Sequence, residues 1–269
     1  MSRIEDALAR RAAEGKKALV TYLCVGDPDA DTSITLALAC AEEGADVLEL
    51  GCPFSDPSAD GVAIARASQR ALGRGGGLAE TLRVARAVRE RSDVPIVLFG
   101  YYNPLFVRGE EEAARVVAEA GIDALLVVDL PIDESMPLRT AAAARGIGLV
   151  PLVAPTTTAP RVARIGAVAK QYPIPFVYYV SVTGVTGGAG AVAELAAAGE
   201  EAARVRDATG RPAVVGFGID SAERARAAAA RADGIAVGSE IVRRIERGAT
   251  LTERDASVRE LVRELRAAV

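Results

Sequence analysis

Histidine and tryptophan are absent from the 269 residues of this chain. Without histidine there can be no Ser-His-Asp triad, no Cys-His nucleophile pair and no imidazole-ligated metal. Cysteine is scarce: Cys24, Cys40 and Cys52 are odd in number and lack C-x-x-C spacing. That count argues against a disulfide framework and makes a reducing compartment the expected setting. Lysine occurs only at Lys16, Lys17 and Lys170, and the aromatics are five Phe and six Tyr. A net charge of −4 with no basic stripe gives nucleic acid no footing. The longest uncharged run, Gln171 to Ala193, contains two prolines and four glycines, so it reads as strand plus loop and not as a membrane span. The N-terminus, Met-Ser-Arg-Ile-Glu-Asp, has no apolar stretch of the signal-peptide kind. The expected location is the cytoplasm, with no metal in the chain.

What the chain does have is apolar residues at 50% against 25% charged, enough for a sizeable core. Eight short apolar runs recur: Ala18–Cys24, Asp46–Leu50, Pro95–Phe99, Ala124–Asp129, Gly148–Val153, Phe176–Ser181, Ala213–Phe217 and Gly234–Val237. Most are near-continuous, as expected of parallel strands covered on both faces. Helical patterns follow each: Ala30–Glu43, Leu78–Arg91, Glu110–Glu119, Asp133–Ala144, Pro160–Ala169, Ala191–Asp207, Ser221–Ala232 and Ser239–Arg247. Eight β–α units predict a (β/α)8 TIM barrel, read as a single domain over residues 1–269. Extra helices are predicted at Ile4–Ala13, which can plug the barrel bottom, at Thr252–Ala268, and at Val62–Leu72 in the connection after strand two. A doubly wound open sheet is the rival, weakened because no G-x-G-x-x-G follows strand one.

In such a barrel the chemistry sits at the C-terminal ends of the strands. Glu49 lies within the second strand. Alternation puts Val47, Glu49 and Gly51 on the inward face and Leu48 and Leu50 against the helices. A buried carboxylate there would have its pKa raised, which suits a general acid–base; a carboxylate bonded to backbone or buried water is the alternative. Asp56 and Asp60 follow in the loop. Asp56 can shape the turn, and Asp60 can act chemically or cap the helix from Val62. After strand six comes Ser181-Val182-Thr183-Gly184-Val185-Thr186-Gly187-Gly188-Ala189-Gly190, a glycine-rich lid candidate. Gly216-Phe217-Gly218 follows strand seven, and Gly238-Ser239 opens a helix after strand eight. These are the usual positions of a barrel phosphate site, or else ordinary tight turns. Tyr22 and Tyr178, inward by parity, and Tyr101, Tyr102 and Asn103 after strand three can wall a flat apolar substrate or simply pack. Cys24 and Cys52 have no activating neighbour and read as packing residues. All three lysines precede strands, at the barrel bottom, so a Schiff base is not expected. What is left is proton transfer by carboxylates on a phosphate ester.

The motifs Leu48-Glu49-Leu50-Gly51 through Pro53-Phe54-Ser55-Asp56-Pro57-Ser58-Ala59-Asp60-Gly61, Tyr101-Tyr102-Asn103-Pro104, Asp129-Leu130-Pro131, Gly184-Val185-Thr186-Gly187, Gly216-Phe217-Gly218-Ile219 and Gly238-Ser239 occur in that order. On them the chain resembles the tryptophan synthase alpha chain family along nearly its whole length. The resemblance implies a barrel that cleaves indole-3-glycerol phosphate to indole and glyceraldehyde 3-phosphate by a retro-aldol reaction. It implies that Glu49 delivers a proton to indole C3 and that Asp60 holds the indole N–H. It further implies that Thr186 on the lid bonds Asp60, that Gly187, Gly218, Gly238 and Ser239 bind phosphate, and that Tyr22, Tyr178 and Phe217 line the indole pocket, with Tyr101 and Asp129 nearby. The implied partner is a pyridoxal-phosphate beta chain in an α2β2 heterotetramer that receives the indole for tryptophan synthesis. The cofactor is the partner's, and none is expected in this chain. The chain departs from the family pattern at Tyr22 (usually Phe), Cys24 (often Thr), Val62 and Ala65 (commonly Pro and Gln), and in its more glycine-rich lid. Alternatives are a free-standing lyase that releases indole, a phosphate-binding barrel isomerase, and a non-catalytic activating subunit.

Overall fold

The computed structural model describes residues 2–181 and 189–269, with the side chains of 189–191 left aside. The described residues run α1 (Arg3–Ala13), β1 (Ala18–Cys24), α2 (Ala30–Glu42), β2 (Val47–Gly51), α3 (Val62–Leu72), α4 (Leu78–Arg89), β3 (Ile96–Gly100), α5 (Asn103–Phe106), α6 (Glu110–Glu119), β4 (Ala124–Val127), α7 (Met136–Ala143), β5 (Gly148–Leu149), β6 (Leu152–Val153), α8 (Ala159–Val168), β7 (Val177–Val180), α9 (Ala189–Thr209), β8 (Ala213–Gly216), α10 (Ala222–Ala229), β9 (Gly234–Val237), α11 (Ser239–Arg247) and α12 (Leu251–Arg266). All strand pairs are parallel, in the order β5-β4-β3-β2-β1-β9-β8-β7-β6.

The two ends of that order are one stretch of chain. The run expected as a single fifth strand, 148–153, is divided at Val150-Pro151. Its first half pairs with β4 and its second half with β7. Val150 N donates to Leu125 O at 2.8 Å, and Tyr178 N donates to Pro151 O at 3.0 Å. Successive residues of this stretch face opposite neighbours, Gly148 and Val150 toward β4 and Leu149 and Pro151 toward β7, so one stretch of chain carries both ladders. The sheet therefore closes into an eight-stranded ring, which disposes of the open-sheet rival. The short α5 was not expected from the sequence; Pro104 sits in its first turn, where a missing N–H costs nothing.

Inward and outward faces separate as alternation requires. Val20, Val47, Val97, Ala124, Leu126, Val150, Phe176, Val214 and Ala236 fill the interior, and Ile4 and Leu8 of α1 join them from below. The N-terminal helix is thus the bottom plug that the sequence predicts. A Ser2–Glu5 capping box starts it. Leu19, Leu48, Leu50, Leu98 and Leu125 face the helices instead.

A repeated device anchors the bottom. An aspartate just ahead of a strand accepts an amide at the start of the preceding neighbour: Asp46 from Leu19 N (2.9 Å), Asp123 from Ile96 N (2.8 Å) and Asp233 from Ala213 N (2.9 Å). Arginines close over each. Arg11 and Arg266 reach Asp46 at 2.6 and 2.7 Å, and Arg3 and Arg89 reach Asp123 at 3.0 and 2.9 Å. Lys17 is also at this end, its Nζ donating to Ala232 O at 2.7 Å.

Candidate active site

A cleft of about 770 Å³ opens at the C-terminal ends of the strands. Glu49, Asp60, Tyr22, Tyr178, Phe217, Gly218, Gly238 and Ser239 all line it, so it gathers site candidates from five strand ends and their loops. Its volume is that of a pocket for a small organic ligand.

Glu49 occupies the middle of β2, between Tyr22 of β1 and Val97 of β3. Only 1% of it is exposed, and its Oε1 has no hydrogen-bond partner among the described residues. The backbone-bonded alternative thus leaves one carboxyl oxygen unaccounted for. Burial pushes the Glu49 carboxyl up to about 8, so it carries a proton at neutral pH.

Asp60 is partly buried at the cleft mouth. The helix behind it is capped by Gly61 with no side-chain bond, so Asp60 is not an N-cap. Burial pushes it up to about 6, with the Tyr101 hydroxyl pulling the other way. Two carboxyls in one cleft are therefore held in different states near neutrality, one as acid and one as anion.

Tyr101 stands behind this loop and not on the cleft wall. Its hydroxyl accepts from Ala59 N at 2.9 Å, and its ring stacks on Phe54 at 4.9 Å. Asp129 is not brought to the cleft; it is exposed and accepts from Tyr102 N at 2.7 Å. Thr186 and Gly187 lie outside the described residues. Cys24 and Cys52 are buried, and burial drives their thiols up to about 12 and about 11, as inert packing groups.

Two glycines make room for the pocket tyrosines. A Cβ on Gly51 would stand 2.3 Å from Tyr22 Oη, and one on Gly216 would stand 1.9 Å from Tyr178 Oη. Each ring therefore lies across the end of its neighbouring strand. Burial holds both phenols well above their usual range, so they stay protonated. Phe99 closes the wall edge-on to Tyr22, with centroids 5.2 Å apart. Gly216→Ala is expected to displace the Tyr178 ring, costing about 1–3 kcal/mol of stability and raising the substrate KM. The thermal midpoint and KM check this, and unchanged values for both would mean that the ring is free to move aside.

The other end of the cleft carries groups that favour negative charge. Phe217 and Gly218 take left-handed φ values of 81° and 75° in succession. A left-handed Phe is strained by about 1–3 kcal/mol. Ser181 Oγ donates to Gly216 O (3.1 Å) and Phe217 O (3.2 Å), which pins the turn. Opposite stands the N-terminus of α11, with Gly238 as its cap and no side-chain cap bond. Its first amides and the helix dipole favour negative charge. Arg224, paired with Asp220 at 2.6 Å, and Arg243, paired with Glu240 at 3.1 Å, flank this end. Sequence reasoning missed both arginines and Phe99. The inward parity of Phe99 with Val97 was a usable signal, but nothing local marks surface arginines that fold back over a cleft. Among the described residues no group of three acidic or thiol side chains is placed to hold a metal.

Fold and site together define a (β/α)8 barrel whose two-carboxylate cleft is equipped for proton transfer on an anionic ligand. A family model described as tryptophan synthase alpha chain matches residues 8–269. The tryptophan synthase alpha chain of Citrifermentans bemidjiense is 48% identical over 255 residues, 94% of this chain and 93% of that one. That of Geobacter sulfurreducens is 43% identical over 269 residues, 100% of this chain and 99% of the other. Among solved structures, tryptophan synthase subunit alpha of Legionella pneumophila superposes with a TM-score of 0.89 at 32% identity, covering 100% of this chain and 98% of that one. A tryptophan synthase chain from M. tuberculosis gives 0.87 at 33%, covering 100% and 99%. The chain belongs to the tryptophan synthase alpha chain family.

Proposed function

We propose that Glu49 and Asp60 carry the reaction of this family in this chain, the retro-aldol cleavage of indole-3-glycerol phosphate to indole and glyceraldehyde 3-phosphate. The observation that carries the assignment is Glu49: a protonated carboxyl, buried on the cleft wall, with an oxygen that no described residue occupies. Protonation of indole C3 by Glu49 makes the ring a neutral leaving group. Asp60, as an anion, accepts the indole N–H and stabilises the positive charge that appears on the ring. As the carbon–carbon bond breaks, its electron pair returns to the ring. The glycerol hydroxyl becomes the aldehyde and returns its proton to Glu49. Neither a lysine nor a metal is required.

The phosphate is read into the end formed by Gly218, Gly238 and Ser239, with Gly187 joining from the lid, where Thr186 is assigned to Asp60. Tyr22, Tyr178 and Phe217 take the indole. The partner is the beta chain of the synthase, which uses pyridoxal phosphate to join indole to serine, and this chain needs no cofactor of its own. We read residues 1–269 as one domain. No described helix is long and apolar enough to cross a membrane, and three buried free thiols support a cytoplasmic setting.

The test is indole release from indole-3-glycerol phosphate by the purified chain, with and without a beta chain. Slow release accelerated by beta is the expected result. Fast release alone would make the chain an independent lyase, and no release in either mixture would overturn the assignment. The pH profile adds a second check. Activity requires Asp60 ionised and Glu49 protonated, so kcat/KM rises through about 6 and falls through about 8. A profile flat across that range would remove these two groups from the rate.

A further inference from the structure

Five charged side chains are buried among the described residues: Asp27, Asp46, Glu49, Asp123 and Arg139. Asp27 has Arg70 at 2.7 Å, and Asp46 and Asp123 have the arginine pairs given above. Glu49 and Arg139 alone have no ion-pair partner among these residues, and a buried charge is costly without one. Glu49 resolves the problem by holding a proton. Arg139 cannot, since burial lowers its guanidinium only to about 10.

Arg139 sits in α7, 2% exposed. Nε donates to Ser135 Oγ at 3.3 Å and Nη1 to Leu149 O at 3.1 Å, both neutral acceptors. The side chain lines a second cavity of about 240 Å³, between the loop after β4 and the β5–β6–α8 segment. This cavity shares no lining residue with the active-site cleft. Its wall is mixed: Val127, Leu130, Ile132 and Ile165 form an aliphatic side, and Thr157 and exposed Asp129 line it as well. Arg161, the other lining cation, is already held by Asp133 at 3.1 Å.

We propose that this second cavity binds a small aliphatic monocarboxylate, with the Arg139 guanidinium as its anchor. One uncompensated cation calls for one negative charge. Asp129 on the wall repels each added negative charge, so a dianion such as phosphate is disfavoured more than a monoanion. The aliphatic side of the wall takes a hydrocarbon tail, and the volume equals about eight waters at ~30 Å³ each, room for a short branched acid. The ion pair, made away from bulk water, is charge-assisted and geometrically specific.

The test titrates the ¹⁵N-labelled full chain with isobutyrate, isobutanol and inorganic phosphate, reading the amides of Leu130 and Ile132. Isobutyrate is expected to shift them saturably, with isobutanol at least about tenfold weaker. Phosphate is expected to act instead at Gly238 and Ser239. Arg139→Met, checked for folding by circular dichroism, should abolish the isobutyrate shifts. If that variant does not fold, the comparison of acid with alcohol on the unaltered chain decides. No saturable shift with isobutyrate, equal binding of the alcohol, tighter phosphate binding at these amides, or persistence of the shifts in folded Arg139→Met would each overturn the proposal.

Discussion

Glu49→Gln is expected to lower kcat for indole release by about 10²–10⁴-fold, the usual contribution of a positioned general acid, while KM stays within about threefold. The amide fills the same space but has no acidic proton to deliver. A buried carboxyl without a counter-charge also leaves a trace in stability. Its folded pKa, about 8, is raised above the ordinary 4.5 by burial. The folded state therefore keeps a proton that the unfolded state has released. Stability from this group is fully present below pH 4.5, falls as pH rises toward 8, and is lost beyond it. The Gln variant, which does not titrate, should gain on the unaltered chain across that window by an amount of order a few kcal/mol. Denaturation at pH 5 and pH 8.5 measures the difference. Near-normal turnover in Glu49→Gln would sink the mechanism, and a pH-independent stability difference would show that the Glu49 carboxyl titrates alike in the folded and unfolded chain, with no upward shift from burial.

Asp46→Ala is expected to cost about 3 kcal/mol, since it strands two arginines against a buried site, and to lower the thermal midpoint by about 6–12 °C for a chain of this size. Asp46 is 1% exposed, whereas Arg11 and Arg266 are 18% and 15% exposed. These arginines belong to α1 and α12, so one carboxylate ties both terminal helices to the β1–β2 junction. Asp46→Asn should fall between, because its amide oxygen can still accept from Leu19 N. A midpoint within 2 °C of the unaltered chain would mean that solvent screens these pairs and that packing alone holds the terminal helices.

Much of the site was legible before any coordinates. Strand parity put Glu49 inside and Leu48 and Leu50 outside, because side chains in a strand alternate and a single polar residue stands out in an apolar run. The Gly-Phe-Gly and Gly-Ser turns marked an anion site because such turns carry their chemistry in a few adjacent residues. Asp60 was different. Its neighbours allowed a helix cap or a catalytic role, and only the cap geometry at Gly61 removed the first of these. Tyr101, by its place after strand three, and Asp129, by the family resemblance, were grouped with the pocket, but the first supports a loop and the second lines a different cavity. Position along the chain does not report which way a loop folds.

The barrel is legible from the chain alone: eight apolar runs with helices between them, a plugging helix ahead of the first, and chemistry limited to carboxylates by the lack of histidine and the placing of the lysines. These are local properties, written in periodicity and residue type. Only the folded ring shows that closure runs through Val150 and Pro151, that Gly51 and Gly216 admit the two tyrosine rings, and that Glu49 and Arg139 are the buried ionisable groups without an ion-pair partner among the described residues. Those facts depend on contacts between residues far apart in the chain and on how much water the packed elements exclude. Neither quantity exists until the ring has formed.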